Sequence, residues 1–245
     1  MSDLKISYSE LCIIEDCLFR HKLLYLDKLP GVSNEFAAFG SAMHSNAEKQ
    51  LLTEELKKTE TVSEINWGET FINDFRAELK ELRASKVVLN KALCVSLKDQ
   101  GLVLTDKILP ALKAVPEFKD YVLENTEEKL LEPIKDFKTD LKFKGYIDLI
   151  LKVGDKFYII DWKSCTWGWD ARTKSSTRKT YQLTLYKHFF CQKHNIDPKN
   201  VETYFALLKR TAKKDHVEIF RVTSGQKKIS NAIKWMENLI AKSQM

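Results

Sequence analysis

Glycine and proline are scarce, with 8 Gly and 5 Pro in 245 residues. Both residues interrupt regular structure, so their shortage disfavours a loop-rich sandwich and favours long helices. No apolar run reaches the roughly 18 residues that a membrane-crossing helix needs. The opening residues, MSDLKISYSE, hold no apolar signal core, so secretion is not expected. Cysteine is sparse and irregular: Cys12, Cys17, Cys94, Cys165 and Cys191 form an odd set with no CxxC pair. A structural zinc site and a disulfide framework both fit this spacing poorly, whereas reduced thiols in a cytoplasm fit it well.

Hydrophobic residues make up 44% of the chain and charged residues 30%. That balance supports a buried core and argues against wholesale disorder. The length suits one large domain or two small ones. Net charge is +6, but residues 163–245 carry 17 Lys+Arg against 6 Asp+Glu, and residues 1–162 carry 23 against 28. A basic half beside an acidic half suggests a polyanion partner, although a Lys-rich solvated surface would produce the same count.

Ser7 and Glu10 have capping-box spacing ahead of an apolar run, which predicts a helix over 8–26. Pro30 and Gly31 end it. A second helix is expected over 33–58, with Phe36, Phe39, Met43, Ala47 and Leu51 at helical spacing. Further helices are expected over 69–83 and 105–124, with the segment between them ambiguous. Beyond Asn125 the period changes to two. The segments EKLLEPI, LKFKGYIDLILKV and KFYIIDW read as three strands in a meander. After a polar basic stretch (165–180) come a helix over 178–193, the strands VETYFALLKR and HVEIFRV, and a helix over 226–241. This order predicts a mixed α/β sheet flanked by helices, with a helical N-terminal half (1–125) and an α/β core (126–245) in one domain.

The segment GYIDLILKVGDKFYIIDWKS carries the chemistry. Gly154 and Asp155 between two apolar runs signal a two-residue hairpin. Val153 then pairs with Lys156, and the same register sets Asp148 directly opposite Asp161, with Cβ atoms about 4.5–5.5 Å apart. Two like charges at that distance repel unless a cation lies between them, and carboxylate oxygens suit hard ions such as Mg²⁺ or Mn²⁺. Lys163 lies two residues beyond Asp161, on the same face of the pleat. The Trp162 backbone carbonyl offers a further oxygen. The set suits metal-assisted phosphodiester hydrolysis. A solvated surface hairpin is the plainer alternative, but charges within strands this apolar are rarely incidental.

Gly145 to Asp148, then Asp161, Trp162 and Lys163, then Gln182 and Tyr186 with three residues between, resemble the PD-(D/E)XK nuclease superfamily in its RecB-like exonuclease branch. The stretch YSELCIIEDCLFRHKLLYL and the later FGSAMH are similar to that branch's opening helix and histidine motif. Each motif alone is weak; five in order are specific. The resemblance implies a PD-(D/E)XK (restriction-endonuclease-like) core. It makes Asp148 and Asp161 metal ligands, Lys163 catalytic and His44 a metal-proximal histidine. It implies Mg²⁺ or Mn²⁺ as cofactor, and an upstream acid at Glu127 or Glu128, of which Glu128 is preferred. Gln182 and Tyr186 would lie beside the site, with Arg178 extending their helix face. Members with an iron–sulfur cluster use one early and three late cysteines. Cys17 matches the early position, but the final 54 residues hold none. No cluster is therefore expected, and the cluster-free phage-type or mitochondrial genome-maintenance-exonuclease-like members are the better comparison.

The stretch CTWGWDARTKSSTRKT places Trp167 and Trp169 among Arg172, Lys174, Arg178 and Lys179. Indoles stack on bases and cations track phosphates, so Trp167, Arg172, Lys174, Arg178 and Lys179 are candidate DNA contacts. A mobile polar loop with one tryptophan in the core is the alternative. The helices over 60–125 are expected to arch over the site and admit only a free end. The resemblance thus implies a metal-dependent deoxyribonuclease, an exonuclease on single strands or DNA ends. Its place would be recombination, repair or replication processing, with DNA as partner and no membrane. It would act in a bacterial or phage-infected cytoplasm at the nucleoid, an organelle also being compatible. A structure-selective endonuclease on the same fold and a non-catalytic DNA-binding scaffold are the alternatives.

Overall fold

The computed structural model describes residues 4–134 and 140–243. Strand β1 (Lys5–Ser7) leads into helices α1 (Tyr8–Asp16) and α2 (Leu18–His21), and a single π-helical turn follows at Lys22–Leu26. Helices α3 (Glu35–Leu56), α4 (Trp67–Ala84), α5 (Lys91–Thr105) and α6 (Ile108–Lys113) come next. Strands β2 (Val122–Pro133), β3 (Lys142–Val153) and β4 (Lys156–Cys165) form the meander. Helices α7 (Ala171–Ser175) and α8 (Thr177–His194), strands β5 (Val201–Lys209) and β6 (Val217–Val222), and helix α9 (Gln226–Ser243) complete the order. No described helix is long and apolar enough to cross a membrane.

The sheet runs β1-β3-β4-β5-β6, with β2 also paired to β3. The β2–β3, β3–β4 and β5–β6 pairs are antiparallel; β1–β3 and β4–β5 are parallel. A parallel neighbour demands a long crossover, and α7 and α8 supply it between β4 and β5. The sheet separates two cores. Residues of α1, α8 and α9 pack on one face against Phe143, Ile150, Ile159 and Phe205. Helices α3 to α6 pack on the other against Leu149, Tyr158, Ile160, Trp162 and Tyr204. The expected mixed sheet flanked by helices is what the structure shows.

Local signals explain most boundaries. The Ser7 hydroxyl accepts the Glu10 amide at 3.2 Å and starts α1 as its cap. The helix expected over 8–26 is interrupted, however. Cys17 is extended (φ −165°, ψ 109°), and its sulfur accepts the Arg20 amide and caps α2. The break lets buried His21 fold back onto Glu10 at 2.9 Å. The helix expected over 105–124 is also corrected. Within it only Thr105, the end of α5, and Ile108–Lys113 are α-helical, and Val115 is extended because Pro116 follows. The ambiguous segment before it holds α5. Strand β2 starts at Val122, and the short β1 escaped the sequence reading.

Helix α3 lies on the sheet through Ala38, Phe39, Ala42, Met43, Ala47 and Leu51, all buried. Phe36, expected on that face, is instead 45% exposed with the Arg210 guanidinium over its ring. Buried Gln50 donates to the Thr105 carbonyl (2.9 Å) and to Asn46 (2.7 Å), and Asn46 donates to the Trp67 carbonyl (3.0 Å). Each buried amide is thereby satisfied, and α3 is tied to the ends of α4 and α5. Helices α4 and α5 stack on α3 and on each other.

Candidate active site

Gly154 adopts φ +57°, a conformation that favours glycine, and Val153 pairs with Lys156 as the turn requires. The register holds through Leu149↔Ile160 and stops there. Asp148 and Asp161 occupy the next position, where no ladder pair forms, which corrects the expectation of a directly opposed pair. Strand β4 stays paired with β5 as far as Cys165, and β3 stays paired with β2. The two middle strands therefore diverge at the carboxylates. On that side the Trp162 backbone has no strand partner, so side chains serve it. Its N–H donates to Asp148 Oδ2 at 2.7 Å, and its carbonyl faces the His44 imidazole.

His44 comes from α3, its Nδ1 3.5 Å from Asp148 Oδ2. Burial pulls its pKa down to about 4, against the opposing pull of Asp161. The ring is therefore neutral near neutral pH, the form that donates a nitrogen lone pair. Asp148 is pushed well above the usual carboxylate range by burial and by the Asp161 charge. Asp161 is only 2% exposed, and its Oδ2 lies 2.5 Å from Lys163 Nζ. That contact lacks hydrogen-bond directionality, so the oxygen has no hydrogen-bond partner. Burial works against the Lys163 ammonium, but Asp161 and Asp148 outweigh it and raise its pKa, so it stays charged.

The upstream acid is corrected. Glu128 turns away from this cluster, bonding His194 (3.0 Å), Lys193 and Asn125 at the end of α8. Burial opposes its charge, but Lys193 and His194 hold its pKa below the ordinary value. Glu127 is the residue that faces the site. It falls between the pairs Thr126↔Leu149 and Glu128↔Ile147, and so lies across from Asp148. Burial, Glu48 and Asp161 raise its pKa. Its φ of +52° is strained for a residue with a side chain, costing about 1–3 kcal/mol. Glu48, which the sequence reading missed, sits one helical turn beyond His44 and accepts from Thr126 at 2.9 Å. Its spacing of four from His44 was the available signal.

These positions separate two neighbouring glutamates by experiment. Glu128→Gln is expected to lower stability by about 2 kcal/mol near neutral pH, since it loses charge-assisted bonds. Because folding depresses the Glu128 pKa, that contribution exists above its ordinary value of 4.5 and fades as pH falls below it. The gap between wild type and variant in thermal melts should narrow on acidification. Glu127→Gln is expected to leave the melting temperature unchanged or higher while lowering cleavage roughly 10–100-fold. Equal stability losses for the two variants would contradict this assignment.

Gln182 and Tyr186 fill the gap between the diverging strands. Gln182 Nε2 donates to the Tyr186 hydroxyl at 3.2 Å, and the Tyr146 backbone bonds the same oxygen. A Cβ on Gly145 would meet Tyr186 Cε1 at 2.8 Å, so the ring needs glycine there. Beside Lys163 a cavity of about 350 Å³ opens between Tyr8, Cys12, Arg178, Lys179, Gln182 and Phe205.

The basic stretch divides. Trp167 is 76% exposed, whereas Trp169 packs edge-on against Phe205 at 5.1 Å. Lys179 lies 5.4 Å over the Trp169 ring. Lys174 pairs with Glu218, and Arg178 forks onto Asp16 with Glu15 nearby. Arg172 is exposed on α7. Two of the four expected cations are thus already neutralised.

The sequence model of the PD-(D/E)XK nuclease superfamily matches residues 5–244, and the chain belongs to that superfamily. Its members are nucleases that act on nucleic acid and generally use divalent metals such as Mg²⁺. No curated protein matches the chain. Among solved structures, one described as the crystal structure of SSO0001 is 17% identical, covering 80% of this chain and 84% of its own, with a TM-score of 0.37.

The donor chemistry fits such an ion. Two buried carboxylates repel each other, and one buried oxygen lacks a hydrogen-bond partner. Among the described residues, no three His, Cys, Asp or Glu side chains are gathered closely enough to hold an ion. Asp148 Oδ2 instead accepts from the Trp162 amide, and the Lys163 ammonium stands 2.5 Å from Asp161 Oδ2 without a hydrogen bond to it.

Proposed function

We propose that the chain is a divalent-metal-dependent DNA exonuclease of the RecB-like branch, acting on single strands or DNA ends in recombination, repair or replication processing. The observation that carries this reading is the Asp148–Asp161–Lys163 cluster at the point where β3 and β4 diverge. Asp148, Asp161 and the Trp162 carbonyl would hold Mg²⁺ or Mn²⁺, with neutral His44 alongside. The bound ion would polarise the phosphoryl oxygen and lower the pKa of an attacking water. Lys163 keeps its proton and places positive charge where negative charge develops on the phosphate. Gln182 and Tyr186 position the strand that carries Asp148. The low-solvent setting strengthens each of these contacts.

Trp167, Arg172 and Lys179 are the better candidates for holding the strand, since Lys174 and Arg178 must first leave their acids. The cavity beside Lys163 is at the small end of ligand-pocket sizes, which favours a strand end over a continuous duplex. His44, from the helical half, reaching Asp148 supports the two halves acting as one nuclease unit. The five free thiols accord with a reducing compartment that holds DNA, such as a cytoplasm with its nucleoid.

The test is a labelled linear strand, a duplex and a closed single-stranded circle, each with Mg²⁺, with Mn²⁺ and with EDTA. Mononucleotide or short products from linear DNA, an intact circle and no turnover in EDTA are expected. Cleavage of the circle at the linear rate would make the protein an endonuclease. Full activity in EDTA would remove the metal mechanism, and metal-independent binding without cleavage would make it a scaffold.

A further inference from the structure

We propose that the groove between α4 and α5 docks an acidic, apolar peptide segment of a partner protein. The groove lies on the outer helical layer and encloses about 710 Å³, continuing into a second hollow of about 180 Å³ that shares Arg76, Leu79, Cys94 and Val95 with it. Its floor is aliphatic, formed by Leu79, Val87, Leu89 and Val95. Val88, on its lip, is 93% exposed and Val95 is 56% exposed. Apolar side chains this open to water mark a surface that gains by being covered.

Charge decides what covers it. Arg76, Lys80, Arg83, Lys91 and Lys98 frame the two hollows, and no acidic residue lines either. Beyond its first turn, which holds Glu69, helix α4 is sorted by face. Asp74, Glu78 and Glu81 lie on the side away from the groove, where Asp74 pairs with Lys49 at 2.7 Å. Among the described residues, Arg76, Lys80, Arg83 and Lys91 make no ion pair. Lys98 pairs with Asp99 at 3.1 Å; a second copy of the chain would bring the other four cations against the same four, a like-charge contact that costs affinity. Nucleic acid would find phosphate partners but no aromatic ring in the larger hollow on which to stack a base. A peptide with carboxylates flanking two apolar anchors satisfies floor and rim together.

The test uses the full chain and a fluorescein-labelled 12-residue peptide of Asp and Glu around one Leu and one Phe, read by anisotropy at low salt. Saturable binding below about 1 mM is expected, weakening with added salt. Arg83→Glu and Val95→Asp, both at exposed positions, should each weaken it at least about tenfold, near 1.4 kcal/mol. Nuclease activity on free DNA should be unchanged, because the groove lies outside the carboxylate cluster. A peptide with Lys in place of the acids, or Ser in place of the anchors, should not bind. No saturable binding, equal binding by both variants, displacement by an oligonucleotide, or a wild-type dimer that Val95→Asp dissociates would each overturn the proposal. None of these readouts depends on catalysis, so its failure and that of the nuclease reading are separable.

Discussion

Lys163→Ala is expected to lower cleavage of a labelled oligonucleotide in Mg²⁺ by about 10²–10⁴-fold while the same oligonucleotide is still bound. The Lys163 ammonium lies against Asp161, held in place by two carboxylates that raise its pKa. In the proposed mechanism it is the charge that would meet an anionic transition state. Its removal also leaves the nearly inaccessible Asp161 without a cation, and breaking such a pair costs about 3–5 kcal/mol. Lost activity alone would therefore be ambiguous. The double variant Asp161→Asn with Lys163→Met removes both charges together. It should melt at or above the wild-type temperature and still be inactive. Cleavage by folded Lys163→Ala within about tenfold of wild type would remove the lysine from the mechanism.

Gly101→Ala is expected to cause the largest stability loss of the glycine-to-alanine substitutions, since its added Cβ makes the shortest contact. Gly101 is buried on α5, and a Cβ there would meet Phe71 at 2.1 and 2.2 Å. Phe71 cannot yield easily, because it stacks on Phe75 at 5.7 Å and meets Phe39 edge-on at 5.7 Å. Helix propensity favours alanine by about 1 kcal/mol, but overpacking a tight core costs about 3 kcal/mol or more at such a distance. A net fall of about 2 kcal/mol corresponds to a drop of roughly 4–8 °C in the melting temperature of a chain this long. A variant as stable as wild type would show that α5 can slide on α4 without penalty.

Tyr186 and Gln182 illustrate how side chains compensate for an interrupted ladder. Strand divergence at Asp148 strips backbone groups of their ladder partners. The Tyr186 hydroxyl bonds the Tyr146 backbone, and Asp148 bonds the Trp162 amide. Every buried backbone group left unpaired costs free energy, so the divergence persists only with these side chains in place.

The hairpin was legible from the sequence because its turn glycine and alternating strands are local signals, and five of its pairs follow from Gly154 alone. The two-period strands and the longer helices were legible for the same reason. The break at Cys17 was not, since no proline or glycine marks it and the His21 contact with Glu10 that accompanies it spans eleven residues. Pro116 is a local signal against one helix reaching 124, because the residue before a proline is pushed out of the α region.

The cluster Asp148, Asp161 and Lys163, and its link to His44, is what residue order by itself determined about this protein, through pleat, turn and motif. Which glutamate joins them was beyond it. Glu127 and Glu128 are chemically identical neighbours, and Glu128 is drawn away by Lys193 and His194 at the end of α8. Only the packed sheet decided that, together with where the ladder ends and which cations are free, because these depend on partners far apart in the chain.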